Sequence, residues 1–307
     1  MTPPKKFLVL GASGLLGRRL FSSLHKDIVV GTYCSTPIDG GVFFDATKMR
    51  LRDALLRKKH NFKTAYILFG STNLDVCANN PTETARINVE AVQHAIDDLM
   101  LEGIKPVFAS SDAVFDGSAG LRTESNPANP ILSYGKQKLQ IENYLATKAG
   151  AWVVARLSKL VSSAPESRNI LAEWARDLEQ GGTIRCAKEL IFSPADVDDV
   201  AKALILFADE RFTGLFHACG PKAIRRLDML NFLAAKISAH REVKGRIVAC
   251  TLKDLALAEA RPIDQSMDPT KLYSALGFSF RRMEDLCSEF VTKRYIQAIA
   301  PKIEIRA

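Results

Sequence analysis

Three glycines near the N-terminus have the spacing of a nucleotide-binding turn. Gly11, Gly14 and Gly17 follow a short apolar run at residues 7–10 and precede a helical pattern that begins at Leu15. Glycine allows a tight turn, and the free amide groups of a helix N-terminus attract the negative charge of a pyrophosphate. This placement predicts that a dinucleotide binds at the turn. The predicted contacts with it are Gly11, Ser13, Gly14, Leu15 and Gly17.

The segment after the second predicted strand indicates which dinucleotide binds. A carboxylate there would accept hydrogen bonds from the ribose hydroxyls and would repel a 2′-phosphate. Residues 31–36 contain no acid, and the first one in this region is Asp39. Arg18 and Arg19, directly after the third glycine, could pair with such a phosphate. We therefore expect NADP(H) as the favoured cofactor, with NAD(H) as the alternative.

A second group of residues has the spacing of a proton donor and its partners. Tyr134 and Lys138 lie one helical turn apart, and Ser111 precedes Tyr134 by 23 residues. Lys138 would hold the nicotinamide ribose and, together with the charge of the cofactor, would lower the pKa of the Tyr134 phenol towards neutrality. The phenol would protonate a carbonyl oxygen, to which Ser111 is also hydrogen-bonded, as a hydride reaches the carbon. Tyr144 and Lys148 repeat the spacing, but only Tyr134 follows a proline-rich loop and begins a helix. Each residue alone would be a surface polar side chain; their order after the glycine turn favours catalysis.

Two motifs resemble those of known families. The GxxGxxG spacing is similar to that of the extended short-chain dehydrogenases/reductases. Residues 110–117, Ser-Ser-Asp-Ala-Val-Phe-Asp-Gly, resemble the STDYVFDG segment of the dTDP-4-dehydrorhamnose reductase family. The resemblance spans nearly the whole chain. Further matching stretches, in family order, are residues 72–75 with Asn88, 134–139, Ser193-Pro194 with 199–201, Arg261-Pro262, 266–268 and 271–272.

The resemblance implies a reductase that acts on a 4-keto sugar carried by a nucleoside diphosphate. Other branches of the family are sugar epimerases or a non-catalytic regulatory subunit of methionine adenosyltransferase, and both alternatives stay open. Asp45 matches the position that binds the adenine amino group, although a helix N-cap explains it nearly as well. Arg261 is a candidate clamp for a diphosphate or a carboxylate. Further cofactor contacts are expected at Arg18, Asp45, Ala46, Phe69, Gly70, Tyr134 and Lys138, and substrate contacts at Thr72, Asn88, Ser111, Asp112 and Arg261.

Three departures from the family pattern narrow the chemistry. Relatives that dehydrate nucleotide sugars carry Asp-Glu after the catalytic residue, whereas Asp112 is followed by Ala113, which disfavours dehydration. The aromatic residue that packs on the nucleotide base in the family is replaced by Lys159, so the sequence does not indicate which base the substrate carries. Glu189-Leu190 and Ala195 also differ from the family, which indicates a diverged sugar pocket.

The order of predicted elements explains how these residues are positioned. Apolar strands at residues 7–10, 28–32, 42–44, 66–69, 107–110 and 152–157 alternate with helices, of which the longest runs from about 82 to 101. Such alternation predicts an α/β fold with a Rossmann-type, doubly wound parallel sheet. We expect residues 1–158 with 191–222 to form the dinucleotide-binding domain. Residues 159–190 with 223–307 would form a smaller, mainly helical substrate lobe.

Composition excludes several classes of protein. The 307 residues include 42 Lys and Arg against 34 Asp and Glu, a net charge of +8, but no apolar run is long enough to span a membrane. The basic stretch at residues 50–59 lacks interleaved aromatics, so we expect a solvated face and no nucleic-acid partner. Six scattered cysteines without a CxxC pair predict no metal site and a reducing, cytoplasmic location. The expected partner is a nucleotide sugar or a similar small molecule, and a homodimer is compatible with the sequence.

Overall fold

The computed structural model describes residues 6–57 and 61–297, and a parallel sheet with helices on both faces dominates it. The strands are β1 (Phe7–Leu10), β2 (Val29–Tyr33), β3 (Val42–Phe43), β4 (Thr64–Ile67), β5 (Lys105–Ser111), β6 (Val153–Leu157), β7 (Leu160–Val161), β8 (Thr183–Ala187), β9 (Ile191–Phe192), β10 (Ala195–Asp196), β11 (Gly214–Ala218), β12 (Ile224–Arg225) and β13 (Arg246–Cys250). The α-helices are α1 (Leu15–Ser23), α2 (Leu74–Asn79), α3 (Pro81–Ala85), α4 (Ala91–Leu101), α5 (Ser133–Ala146), α6 (Ile170–Gln180), α7 (Val197–Leu206), α8 (Arg226–Ser238), α9 (Thr270–Leu276) and α10 (Met283–Val291). Wider helical turns lie at Arg52–Leu56, Arg86–Glu90 and Thr292–Ile296, and 3₁₀ turns at Asp112–Val114 and Leu252–Asp254.

Strand order creates a binding crevice in the main sheet. In the described part of the chain this sheet has seven strands in the order β11, β6, β5, β4, β1, β2, β3. Every pairing is parallel, and β1 has β2 on one side and β4 on the other. The direction of winding reverses between β1 and β4, which opens a crevice at their carboxyl ends. The expected doubly wound α/β fold is therefore confirmed.

The strands are apolar because both faces of the sheet are covered. Side chains alternate across a strand, so Val9 packs towards α1 and α7, whereas Leu8 and Leu10 pack towards α4 and α5. All three are fully buried. Two cores on opposite faces thus hold the carboxyl ends of the strands at fixed positions.

A third apolar core lies outside the sheet. It joins α6, α8 and α10 through residues such as Trp174, Leu230 and Phe290. The division into a dinucleotide-binding domain and a substrate lobe stays a prediction, for which this separate core is the support. The expected boundary is nevertheless too simple, because Leu272 and Phe280 pack in the core with α7 and β11.

Helix and strand boundaries differ from the expected ones in detail. The expected helix at residues 82–101 is built from α3, a wider turn at Arg86–Glu90 and α4. Within the described residues, the short helix α2 and the strands β7 to β12 were not recognised in the sequence pattern. All of them are six residues or shorter, which is too short for a clear periodicity.

The basic stretch at residues 50–59 carries its own counter-charges where the structure describes it. Arg50 pairs with Asp98 at 2.5 Å, and the exposed Arg57 pairs with Asp53 at 3.1 Å. Lys58 and Lys59 lie outside the described residues. These local ion pairs agree with a solvated face. Within residues 6–57 and 61–297, no helix combines the length and apolar character needed to cross a membrane.

Candidate active site

Two glycines of the predicted turn are required by the protein's own packing. Gly11 has a φ of +87°, and its amide donates to Thr32 Oγ1 at 3.1 Å. A Cβ atom on Gly11 would lie 2.8 Å from the backbone nitrogen of Phe69, and one on Gly17 would lie 2.1 Å from the Gly11 carbonyl oxygen. These glycines therefore allow β1, α1 and β4 to approach one another at the crevice.

Gly14 differs because nothing in the protein requires it to be glycine. A Cβ atom there would make only an ordinary contact, 3.6 Å from the Gly11 carbonyl oxygen. Gly14 is the N-cap residue directly before α1, no side chain caps this end of the helix, and its first turn contains no acid. The residues present thus fit a dinucleotide, whose diphosphate would meet free amide groups at an open helix N-terminus.

The two arginines after the turn have different partners. Arg18 Nε donates to the Ser13 carbonyl at 2.8 Å, which keeps the guanidinium at the glycine turn. Arg19 instead pairs with Asp198 at 2.6 Å. Arg19 therefore serves the packing of α1 on α7, and the contact of Arg18 with a cofactor phosphate stays a prediction.

Asp45 caps the turn that follows β3. Its carboxylate accepts hydrogen bonds from the Thr47 amide at 3.1 Å and the Thr47 hydroxyl at 2.7 Å, and pairs with Lys48 at 3.2 Å. The Thr47 hydrogen bonds and the Lys48 charge lower the pKa of Asp45. Asp45 therefore caps the turn that follows it, and its contact with the adenine stays a prediction. The cofactor contacts of the half-buried Ala46 and Phe69 also stay predictions.

Asn88 positions the loop after β4 instead of facing a ligand. Its Oδ1 accepts from the Ser71 amide at 2.8 Å, and its Nδ2 donates to the Ser71 carbonyl at 2.9 Å and to Gln137 Oε1 at 2.7 Å. The side chain is 1% exposed, and a Cβ on Gly70 would clash with it at 2.8 Å. The expected substrate contact of Asn88 is thus corrected to a positioning role. Thr72, two residues after Gly70, is exposed and stays a predicted contact.

The three predicted catalytic residues lie together at the end of β5. The Ser111 side chain lies close enough to the Tyr134 phenol to affect its pKa, and the ammonium of Lys138 lies 5.5 Å from the centre of the Tyr134 ring. Lys138 Nζ donates to the Ala109 carbonyl at 2.8 Å. Strand β5 and helix α5 therefore place a hydroxyl, a phenol and an ammonium in one cluster at the crevice.

The expected joint effect of Lys138 and the cofactor charge on the Tyr134 phenol stays a prediction, and the protein alone acts in the other direction. Burial raises the pKa of Tyr134 above its usual value, and the charge of Asp112 adds to this effect. Lys138 is itself buried, which lowers the pKa of its ammonium to about 8. The phenol is therefore protonated across the neutral range, the form that a proton donor requires.

Asp112 is an unusual acid beside this cluster. Burial raises its pKa to about 6, against the effects of the nearby Ser158 and Ser111 hydroxyls. The Ser111 Oγ donates to its Oδ1 at 3.0 Å and accepts from the Ala113 amide at 3.2 Å. Asp112 therefore adjoins the reacting position and is partly protonated near pH 6.

A buried polar network, which the sequence pattern did not indicate, lies beside the cluster of Ser111, Tyr134 and Lys138. Glu142 accepts from the Ser110 hydroxyl at 2.5 Å and pairs with Arg156 at 2.7 Å. Arg156 Nη1 lies 3.4 Å from His217 Nε2, and burial lowers the pKa of His217 to about 3. The position of Glu142 one turn after Lys138 was the available signal, since both then face the sheet.

The second Tyr-Lys pair lies elsewhere and has another role. Tyr144 donates to Asp97 at 2.6 Å, and Lys148 pairs with the same carboxylate at 2.7 Å. These contacts join α5 to α4. The spacing alone therefore does not make a site, as the sequence context indicated.

Arg261 is held by two acids. It forms an ion pair with Asp75 at the start of α2, and its Nη1 lies 3.8 Å from Glu259. Glu259 in turn accepts from the backbone amide and the hydroxyl of Ser133, both at 3.0 Å. The clamp function of Arg261 stays a prediction, and its observed contacts fasten the C-terminal third to α2 and α5.

Within the described ranges, no group of three or more His, Cys, Asp and Glu side chains is placed to hold a metal ion.

A family model and curated relatives cover nearly the whole chain. The model described as RmlD substrate binding domain matches residues 5–296. The dTDP-4-dehydrorhamnose reductase of Aggregatibacter actinomycetemcomitans is 23% identical over 283 residues, 89% of this chain and 93% of that protein. The methionine adenosyltransferase 2 subunit beta of Rattus norvegicus is 24% identical over 317 residues, 97% of this chain and 92% of that protein.

Solved structures share the fold over almost their full length. A hypothetical dTDP-4-dehydrorhamnose reductase from Sulfolobus tokodaii has a TM-score of 0.78 at 27% identity and covers 92% of this chain and 98% of its own. The Bacillus anthracis dTDP-4-dehydrorhamnose reductase in complex with NADP has a TM-score of 0.80 at 18% identity. The match covers 95% of this chain and 100% of that one. A Thermus thermophilus UDP-glucose 4-epimerase in complex with NAD has a TM-score of 0.78 at 16% identity. The match covers 93% of this chain and 97% of that one. Since the family model extends over nearly all residues and the fold agrees, the chain belongs to the RmlD substrate binding domain family.

Proposed function

We propose that this protein is an NADP(H)-dependent reductase of a keto group on a nucleotide-activated sugar. The observation that carries the proposal is the cluster of Ser111, Tyr134 and Lys138 at the end of β5, in a sheet whose first helix has an open N-terminus. The relatives named dTDP-4-dehydrorhamnose reductase and the related structure with NADP support the same chemistry.

The side chains divide the work of reducing a carbonyl. The cofactor, when bound, supplies the hydride. Tyr134, whose phenol is protonated, donates its proton to the substrate oxygen, and Ser111 donates a hydrogen bond to the same oxygen. Lys138 brings positive charge to the cofactor side of the cluster, and its pKa of about 8 keeps much of it charged near neutral pH.

Arg18 supports the preference for NADP(H). It is the arginine held at the glycine turn, and the segment after β2 contains no acid that would repel a 2′-phosphate. The N–H groups of a charged guanidinium form strong hydrogen bonds with phosphate oxygens. NAD(H) is the alternative cofactor, as in the related epimerase structure.

Replacing Tyr134 with phenylalanine tests the proposal. In Tyr134→Phe, NADPH consumption with keto-sugar nucleotides should fall about 100-fold or more, because the proton donor is lost. The Kd for NADPH, measured by fluorescence titration, should change less than about threefold. Tyr144→Phe removes the same hydroxyl from the same helix but outside the cluster, and it should leave turnover unchanged. Equal activity of wild type and Tyr134→Phe would contradict the mechanism.

A regulatory subunit is the second candidate, favoured by the relatives named methionine adenosyltransferase 2 subunit beta. It would bind the cofactor tightly, consume no NADPH with any keto-sugar nucleotide and co-purify with an enzyme. An epimerase would instead release stoichiometric NAD when the purified protein is denatured. Turnover and cofactor-release assays on one preparation separate the three activities.

A further inference from the structure

We propose that Glu142 is a positioning residue for the cluster at the end of β5, where it holds the strand against α5 and keeps the ammonium of Lys138 charged. The inference rests on the proposed function and deepens it, because it adds a residue that acts on the reaction through Ser111 and Lys138. Glu142 lies one helical turn after Lys138, so both side chains leave α5 on the same face.

Lys138 and Glu142 bind consecutive residues of β5. The Lys138 ammonium donates to the Ala109 carbonyl at 2.8 Å, and the Ser110 hydroxyl donates to the Glu142 carboxylate at 2.5 Å. Ser111 is the next residue and ends the strand. Two turns of α5 therefore hold the two residues that directly precede Ser111. These contacts fix the spacing between the strand and the helix that carry the cluster.

A row of side chains across the sheet holds Glu142 in turn. The strand register places Ser110 on β5 beside Arg156 on β6, and Arg156 beside His217 on β11. The Arg156 guanidinium donates to both oxygens of Glu142, at 3.0 and 2.7 Å. All four residues are buried, and Glu142 is 7% exposed. Because the arginine binds both oxygens, the carboxylate keeps a fixed orientation towards Ser110.

The surroundings of Lys138 oppose its charge, and Glu142 supports it. Lys138 is 6% exposed, and burial lowers the pKa of its ammonium to about 8. Glu142 on the same helix and the side chain of Cys77 on α2 both favour the charged form. Aromatic rings of Phe108 and Tyr134 lie 4.6 and 5.5 Å from the ammonium. Glu142 thus supplies the carboxylate that offsets part of the cost of burial.

The charged groups on the other elements act in a known direction. Arg156 on β6 pairs with Glu142, and Asp112 follows β5 and acts on the phenol of the cluster. His217 on β11 stays neutral, because burial lowers its pKa to about 3. Without the Glu142 charge, the guanidinium of Arg156 would have no counter-ion and would also repel the ammonium. Both changes lower the pKa of Lys138.

Glu142→Gln tests the inference, since it keeps the size of the side chain and removes its charge. In wild type we expect kcat/KM to fall as Lys138 loses its proton near pH 8, and the Kd for NADPH to rise at the same pH. In Glu142→Gln both midpoints should move lower by about one pH unit or more. A purely structural role would lower kcat/KM equally at every pH and leave both midpoints in place.

Two variants serve as controls for the charge. Asp97→Asn removes an acid that binds Lys148 of the same helix, at 2.7 Å, outside the cluster. It should leave both midpoints unchanged. Glu142→Asp keeps the charge and should hold the midpoints within about half a pH unit of wild type.

Ser110→Ala keeps the ion pair of Glu142 and Arg156 and removes only the hydrogen bond to β5. Its kcat should fall about threefold or more, while the Kd for NADPH stays within about twofold and both midpoints stay in place. This variant decides the inference if Glu142→Gln does not fold.

The inference is overturned if folded Glu142→Gln keeps both midpoints of wild type, or if Ser110→Ala has the kcat of wild type. Its failure is distinguishable from that of the proposed function. Unmoved midpoints in an active reductase refute the role of Glu142 alone. A moved midpoint of NADPH binding without any turnover refutes the reductase and leaves the role of Glu142 standing.

Discussion

The carboxylate of Glu259 accepts hydrogen bonds from both the backbone amide and the hydroxyl of Ser133, each at 3.0 Å. Ser133 is the first residue of α5 and precedes Tyr134. A residue 126 positions further along the chain thus caps the helix that carries the proposed proton donor. The C-terminal third of the chain therefore takes part in fixing the orientation of Tyr134.

Glu259→Ala should weaken both the fold and the reaction. Loss of a helix cap costs about 1–2 kcal/mol, which urea denaturation measures as a lower free energy of unfolding. The catalytic constant should fall more than the Kd for NADPH rises, because the phenol is less well positioned. Glu242→Ala, at an exposed glutamate, is the control. Unchanged stability of Glu259→Ala would argue against the capping role.

Glu142→Ala should be the most destabilising of these substitutions. Arg156 is 4% exposed, and the substitution leaves its guanidinium without a carboxylate partner. It also removes the acceptor of the Ser110 hydrogen bond. Removing one member of a buried ion pair costs about 3–5 kcal/mol. The exposed pair Arg57–Asp53 offers a control, since Asp53→Ala should change the free energy of unfolding by less than about 1 kcal/mol. Similar effects of the two substitutions in chemical denaturation would contradict the prediction.

Alanine substitutions at Gly14 and Gly17 should separate cofactor binding from folding. A Cβ on Gly17 would meet the Gly11 carbonyl oxygen at 2.1 Å, so Gly17→Ala should lower the melting temperature strongly. Gly14→Ala has room within the protein and should change stability by less than about 1 kcal/mol. It should nevertheless weaken NADPH binding several-fold, because the methyl group faces the expected diphosphate. Normal NADPH affinity of Gly14→Ala would mean that the diphosphate does not approach this residue.

The pH dependence of kcat/KM should report the charge of Lys138. Its pKa is lowered to about 8, so the ammonium loses its proton as the pH rises through that value. Activity should therefore be present below pH 8 and decline above it, and kcat/KM is the relevant quantity because it reflects the free enzyme. Tyr134 does not cause this decline, since burial raises the pKa of its phenol. A profile that stays flat to pH 10 would exclude a charged Lys138 as a requirement.

Stability should show the opposite pH trend to activity for Lys138. Since the folded-state pKa is below the usual value of 10.5, the fold favours the neutral amine. The contribution of this group to stability is greatest above the unfolded pKa and decreases as the pH falls through about 8. Denaturation curves between pH 7 and 10 measure this trend alongside the activity.

The parts of the site that depend on local sequence were predictable. Gly11, Gly14 and Gly17 are defined by their spacing between a strand and a helix, and Tyr134 and Lys138 by one helical turn. Strand and helix alternation was enough for the fold class, because parallel strands need crossover connections.

The remaining parts depend on contacts between distant residues. Glu259 on Ser133 and Arg261 with Asp75 join segments more than 100 residues apart, and no local pattern indicates such a pair. The raised pKa of Tyr134 in the protein alone depends on burial, which only the packed structure defines. Asn88 was assigned to substrate through the family resemblance, whereas its amide is used to hold the backbone of Ser71.

The packing of Leu272 and Phe280 against α7 and β11 has a consequence for biosynthesis. The core that contains α7 and β11 cannot be completed until residue 280 has left the ribosome. Before that point the nascent chain would expose the apolar surface of α7 and β11 to chaperones. Premature termination in the last third would accordingly yield a fragment that is prone to aggregation instead of a minimal nucleotide-binding module.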